Sequence, residues 1–398
     1  SACVTEVYAA RMAGLTESEK ACESAGLLPS LPPAVTLADS SASALILDPN
    51  NGQVLALVGE TVQGVETPLV TAHQPGSSLD AFVYLTGFTR GLSPASLTWD
   101  IPPYGDFAND RNIQNFDGIY HGPVRLRIAL TNDYQVPVET LKEQMGIENV
   151  TSITSSFGID LNDDVNMLKL AGAYGVFGKQ GIYFGQNIND DFLPVTVLRV
   201  EGVDHTVLVD WALPQAKPVL TPALAYLMTH VLSDETARGQ SNPLEIGRPA
   251  GVKVGQTSDG LDAWVVGYTP SHVVVTWTGV HGEEMVTPRF PSVLWNALMQ
   301  LVSGDSPVNG WTAPQGVYTI TVCDPSGMLP TQDCPNLVSE IFLNGSEPIQ
   351  ADNLFREFAI NRETGLLATV FTPPELIETR VYMRIPETAR AWAVSTGL

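Results

Sequence analysis

Two β-rich apolar runs, Ser43 to Asp48 and Gln53 to Val58, are separated only by Pro49-Asn50-Asn51-Gly52. Asn-Gly between apolar runs is the strongest short-range hairpin signal, because the favoured tight turn needs positive φ at its centre. These strands are expected in a core sheet. A second hairpin is expected where Ala263 to Tyr268 and His272 to Trp277 flank Thr269-Pro270-Ser271. Between the hairpins the pattern is helical, over Ala81 to Phe88, 123–146, 149–158, Asn166 to Phe177 and Pro222 to Leu232. The Leu168/Ala171/Ala173/Tyr174 spacing reads as core packing. Strands, then helices, then strands describe an α+β domain in which a helical cluster lies on an antiparallel sheet.

The organisation expected is a helical lead-in and linker over 1–40, a main domain over 41–303 and a small β-rich extension over 304–398. In the lead-in, Thr16-Glu17-Ser18-Glu19 reads as a helix start and Gly26 as its stop, before Pro29, Pro32 and Pro33. Ser303 to Gly310 reads as a boundary, and Gly316 to Val322 as a strand of the extension.

A formal charge of -23, from 43 acidic against 20 basic residues, repels nucleic acid and anionic lipid. Neither is expected as a partner. No apolar run reaches the roughly 18 residues needed to span a bilayer. No signal peptide is visible, so the chain reads as a mature or excised piece of something longer, anchored through a missing segment or a lipid. The four cysteines fall into local pairs, Cys3 with Cys22 and Cys323 with Cys334. Neither has metal-site spacing, and the six histidines are scattered, so no metal and no cofactor is expected. Disulfides at both pairs would place the chain in an oxidising, extracytoplasmic compartment. Cys3 has a competing reading as a lipidated residue. Asn149 and Asn344 head glycosylation sequons. His121 and His281 read as ordinary loop histidines.

The stretch Gln74-Pro75-Gly76-Ser77-Ser78-Leu79-Asp80 opens the first helix. It resembles the serine-nucleophile turn of the penicillin-binding transpeptidases, whose motif is S-x-x-K. Other blocks resemble the class A members of that family in the right order. They are Ala44 to Gly59, Asn115 to Val124, Asp262 to Pro270, and the tail from Val322 to Pro330 with Cys334-Pro335. The resemblance runs from about residue 41 to the end and implies the penicillin-binding/serine β-lactamase-like fold. The family's glycosyltransferase domain would lie upstream.

Carried over position by position, the motifs are degenerate. S-x-x-K becomes Ser77-Ser78-Leu79-Asp80, S-x-N becomes Asp133-Tyr134-Gln135, and K-T-G becomes Lys253-Val254-Gly255. The base, the relay hydroxyl and the substrate-anchoring hydroxyl are all changed. General-base assistance contributes about 10²–10⁴-fold in rate, and removing one member of such a unit forfeits most of it. Ser77 is therefore read as a helix N-cap, worth about 1 kcal/mol. Lys253 is read as a salt-bridge partner of Asp80 or Asp133, and Tyr134 as a side chain large enough to plug the site. The expectation is a catalytically inactive homologue acting as an extracytoplasmic scaffold, binding module or assembly subunit. Its partner would be a protein or a larger surface assembly, with a peptidoglycan stem peptide as the other candidate, disfavoured by the acidic cleft. The rival reading is an active D,D-transpeptidase or carboxypeptidase using Ser77 with a different base.

Overall fold

A computed structural model describes residues 1–12, 22–30, 37, 40–59, 72–103, 113–188, 191–238, 243–280 and 284–397. The chain divides into two compact units, one of residues 1–89, 130–133 and 142–315, the other of 90–129, 134–141 and 316–398.

The first unit is built on a five-stranded sheet, in the order Gly251–Gln256, Asp262–Tyr268, Val273–Val280, Ser40–Asp48, Gln53–Gly59. Every neighbouring pair is antiparallel. The Asn51-Gly52 hairpin forms as expected, with Gly52 at φ +73° and a register shift between Ile46 and Leu47. The Val273–Val280 strand is buried along its whole length, which requires cover on both faces. Side chains such as Ala44, Ile46, Val265 and Val274 share one cluster with helices Ala2–Met12 and Arg289–Ser303. On the other face Gly175 of the Met167–Gly178 helix approaches Leu47 and Val273. That helix starts where expected because the Asn166 side chain accepts the Lys169 N–H at 2.9 Å.

Three local readings change. The Ala2–Met12 helix of the expected lead-in packs into the core: Tyr8 is fully buried and its hydroxyl meets Thr278 Oγ1 at 3.1 Å. The segment Arg289–Ser303, with no helix expected from its sequence, is a helix that buries Phe290, Val293, Leu294, Ala297 and Leu298 at helical spacing. Residues 123–125, expected as the start of a helix, belong to the strand Gly122–Arg125 paired with Leu97–Asp100. The helices following are Leu126–Thr131 and Gln135–Met145. The Thr16–Glu19 start signal and His281 lie outside the described residues.

The second unit holds short antiparallel pairs, Val317–Cys323 with Leu337–Leu343 and Phe355–Asn361 with Ile377–Met383. This is the small C-terminal sheet region that the sequence suggests. Both cysteine pairs are disulfides, Cys3–Cys22 and Cys323–Cys334, so the Cys3 thiol is engaged in a disulfide and not in a thioether. Buried Glu340 is held by Arg125 Nη1 at 2.7 Å and by Arg127 Nε at 2.8 Å. Among the described residues no helix is long and apolar enough to cross a membrane.

Candidate functional site

The site begins with a turn that must pass very close to a strand. At Gly76, φ is +51° and an added Cβ would stand 2.3 Å from the Gln256 carbonyl oxygen, so only glycine fits. The same contact is tight from the other side, where a Cβ on Gly255 would fall 2.6 Å from the Ser78 backbone nitrogen. Trp264 Nε1 donates to the Gln74 carbonyl at 2.9 Å, and the Tyr174 hydroxyl to the Ser78 carbonyl at 2.5 Å. Together these fix a 3₁₀ turn, Gly76–Leu79, that runs into the buried Asp80–Thr89 helix.

Ser77 is not the cap of that helix. Its Oγ is buried, donates to Asp133 Oδ2 at 2.6 Å and accepts the Gln256 N–H at 3.0 Å. The N-cap reading fails because the hydroxyl is engaged by groups far away in sequence. Asp133 is held at φ +61°, a left-handed conformation that aspartate tolerates better than most residues. Its Oδ1 accepts Lys253 Nζ at 2.5 Å, and Lys253 also donates to the Val254 carbonyl at 2.6 Å. Serine hydroxyl, carboxylate and ammonium thus form one closed chain. Lys253 and Asp133 are both buried, so each cancels a charge that would be costly alone.

Asp80 stands at the first residue of its helix, where the macrodipole favours an anion. The cation it faces is Lys142 Nζ, 3.8 Å away, a residue the sequence reading did not single out. The Tyr174 phenol is pushed up, first by burial and then by Tyr268, Asp80 and Asp133. Val254 carries no hydroxyl and packs against the hydrophobic cluster of the sheet. A cavity of about 330 Å³ lies beside the turn, lined by Leu79, Asp80, Val83 and Lys142 among others.

Gln135 and Tyr134 belong to the second unit. The Gln135 backbone N–H donates to Asn115 Oδ1 at 2.7 Å, and Asn115 in turn donates to fully buried Asp100 at 2.7 Å. Tyr134 stacks flat on His121, centroids 3.9 Å apart. Burial, with Asp100 and Asp117, pushes the Tyr134 phenol up to about 12. His121 reaches Asp100 at 2.9 Å and Asp117 at 3.2 Å, a satisfied histidine as its sequence context suggested. Among the described residues no group of histidine, cysteine and carboxylate side chains is arranged to hold a metal ion.

The glycine-hinged serine turn, pinned on an edge strand bearing Lys253 and Gly255, defines a transpeptidase domain of the penicillin-binding type. Residues 42–179 match the penicillin binding protein transpeptidase domain, and residues 313–357 match the C-terminal domain of penicillin-binding protein 1A. Penicillin-binding protein 1A of Clostridium botulinum (strain Langeland) is 28% identical over 390 residues, covering 86% of this chain and 45% of the relative. The penicillin-binding protein 1A/1B of Bacillus subtilis is 23% identical over 346 residues, covering 76% of this chain and 37% of the relative. The chain thus spans under half the length of these curated relatives. Among solved structures, penicillin-binding protein 1A from Haemophilus influenzae has a TM-score of 0.67 at 19% identity, covering 79% of this chain and 55% of that one. PonA1 from Mycobacterium tuberculosis, in complex with penicillin V, has a TM-score of 0.59 at 22% identity, covering 78% and 87%. This chain carries the transpeptidase domain of the class A penicillin-binding proteins.

Proposed function

We propose that this chain is a penicillin-binding transpeptidase-domain protein of peptidoglycan synthesis that has lost its own acyl-transfer chemistry. It works outside the cytoplasm as a scaffold, binding module or assembly subunit of the cell envelope. One observation carries the reading: Ser77 Oγ donates to Asp133, and Asp133 is already paired with Lys253. Acyl transfer needs a base for the serine proton and positive potential for the oxyanion. A carboxylate whose charge is already held by an ammonium is a poor acceptor for a serine proton. The Lys253 ammonium is taken up by Asp133 and is not free to hold an oxyanion. Asp80, where the motif has lysine, adds a second negative charge.

The two disulfides support an oxidising compartment. The acidic surface and the carboxylates of the site favour a protein partner over an anionic stem peptide. The test is incubation with a fluorescent penicillin. No labelling above that of Ser77→Ala is expected, and stoichiometric labelling lost in Ser77→Ala would overturn the proposal.

A second reading, an active D,D-transpeptidase or carboxypeptidase, has one observation in its favour. The 2.6 Å Ser77–Asp133 contact is short enough for direct proton transfer. Under that reading Asp133 is the base, and Asp133→Asn would abolish labelling while Asp80→Asn would spare it.

A further inference from the structure

The hairpin of Phe355–Asn361 and Ile377–Met383 in the second unit has two edges that the chain treats differently. Along the first strand, the Asn361 N–H donates to the Leu366 carbonyl at 2.8 Å and the Ala368 N–H to the Ala359 carbonyl at 2.8 Å. The segment after that strand thus covers its outer edge. No strand among the described residues pairs with the outer edge of Ile377–Met383.

The register says which groups face that bare edge. The Arg384 N–H donates to the Leu354 carbonyl at 2.7 Å, and the Arg362 N–H to the Leu376 carbonyl at 3.0 Å. Bonded pairs alternate in an antiparallel ladder, so Glu378, Arg380 and Tyr382 turn their backbone groups inward, to Ile360, Phe358 and Arg356. Ile377, Thr379, Val381 and Met383 turn theirs outward. The Ile377 N–H is taken by the Pro374 carbonyl, which leaves its carbonyl and both groups of Thr379 and Val381 facing solvent. Proteins that fold alone blunt such an edge with proline, lysine or a bulge. This strand has no proline and no lysine, pairs without a register shift, and exposes five of its seven residues.

The side chains select the partner. On one face Glu378 and Arg380 form an ion pair along the strand, and on the other Ile377, Thr379 and Val381 are exposed. Lay a second copy antiparallel with the two-fold axis at Thr379, and Glu378 meets Arg380 of the second copy while Arg380 meets its Glu378. Each charge then has an opposite charge both beside it and across from it. These pairs fall at the non-bonded positions of the new ladder, where facing side chains stand closest. On the other face Ile377 meets Val381 of the second copy, and Val381 its Ile377. An axis one residue further on would set the two Arg380 side chains against each other.

We propose that this chain forms a two-fold dimer by pairing its Ile377–Met383 edges. Thr379 N–H and carbonyl bond reciprocally across the axis, and each Val381 N–H donates to the Ile377 carbonyl of the other copy. Such an interface is isologous and closed, so pairing stops at two copies. One edge strand makes a small contact, at the transient end of specific interfaces. The proposal goes beyond the function given above and assumes nothing about whether Ser77 reacts.

Sedimentation velocity of the full chain from about 5 to 500 µM tests it, in roughly 0.15 M salt to screen the repulsion between two acidic copies. A concentration-dependent dimer is expected. Glu378→Arg puts like charges in both facing pairs and should weaken the dimer about tenfold or more, as should Arg380→Glu. An equimolar mixture of these two variants makes every facing pair opposite again and should restore association to within about threefold of wild type. Thr379→Pro removes an outward N–H that the hairpin does not use, a place where proline is tolerated. It should abolish the dimer with an unchanged melting curve. If Thr379→Pro does not fold, the charge reversals and their mixture decide alone. A monomer at every concentration, the result expected if the edge instead receives an extended segment of another protein, would overturn the proposal. So would a dimer insensitive to the reversals or to a folded Thr379→Pro, or a mixture that stays monomeric.

Discussion

Ser77 and Asp133 lie 56 positions apart in the chain and share a 2.6 Å hydrogen bond in a buried site. The serine that resembles a nucleophile is therefore held by the residue standing where a relay hydroxyl would be. Its geometry belongs to a satisfied polar network.

Replacing Lys253 by methionine should leave the Asp133 carboxylate buried and uncompensated. A loss of about 3–5 kcal/mol is expected on breaking such a pair. Urea unfolding of Lys253→Met measures it, and the double variant with Asp133→Asn, a residue that also tolerates the left-handed conformation at 133, should recover much of the loss. Equal stability of wild type and Lys253→Met would contradict the closed network.

Chemistry should return only when the site is rebuilt as a unit. Asp80→Lys, Asp133→Ser and Val254→Thr together should raise the rate of fluorescent-penicillin labelling by about 10²-fold or more, while each alone does nothing. Labelling restored by Asp80→Lys alone would show that a single substitution silenced the domain.

Glu340 gives the second unit a defined response to acid. Burial pushes its carboxyl up, but the Arg127 hydrogen bonds and charge, the Ile341 N–H and Arg125 outweigh that and hold it below the usual glutamate range. A lowered folded-state pKa adds stability above the ordinary glutamate value, and that stability is lost as pH falls through the folded one. Melting temperature should therefore drop on acidification below about pH 4.3. Glu340→Gln should start lower and show a flatter decline over the same range.

The Cys3–Cys22 disulfide fastens the N-terminal helix whose Tyr8 and Met12 are fully buried in the sheet core. Cys3→Ser with Cys22→Ser should cost about 3 kcal/mol, the expectation for a short closed loop. Thermal melts with and without reductant check this, and the reductant should not shift the double variant by the Cys3–Cys22 contribution.

Much of the main sheet was legible because its signals are local. Asn51-Gly52 specifies its own turn, and Asn166 caps the helix it precedes. The Gly122–Arg125 strand was misread because four residues carry no periodicity against a helical continuation. The Arg289–Ser303 helix does carry the apolar spacing, in Phe290, Val293, Leu294 and Ala297, but Pro288 and Pro291 mask its start. At the site, the pairing of Lys253 with a carboxylate was readable from the substitutions themselves. That Ser77 bonds to Asp133, and that Asp80 faces Lys142, was not. Both depend on long-range approach, which no short spacing encodes.

The second unit has a consequence for how the protein is made. Its Arg127 waits for Glu340, and its Gly122, where a Cβ would sit 2.2 Å from the Trp392 ring, waits for the helix Arg390–Thr396 that carries this tryptophan. During synthesis the early half of this core leaves the ribosome long before its later half exists. The first unit has all its segments by residue 315, whereas the second cannot close before residues 316–398 are made. Until Glu340 is made, the half of this core that carries Arg125 and Arg127 is incomplete, the interval in which a holding chaperone would act.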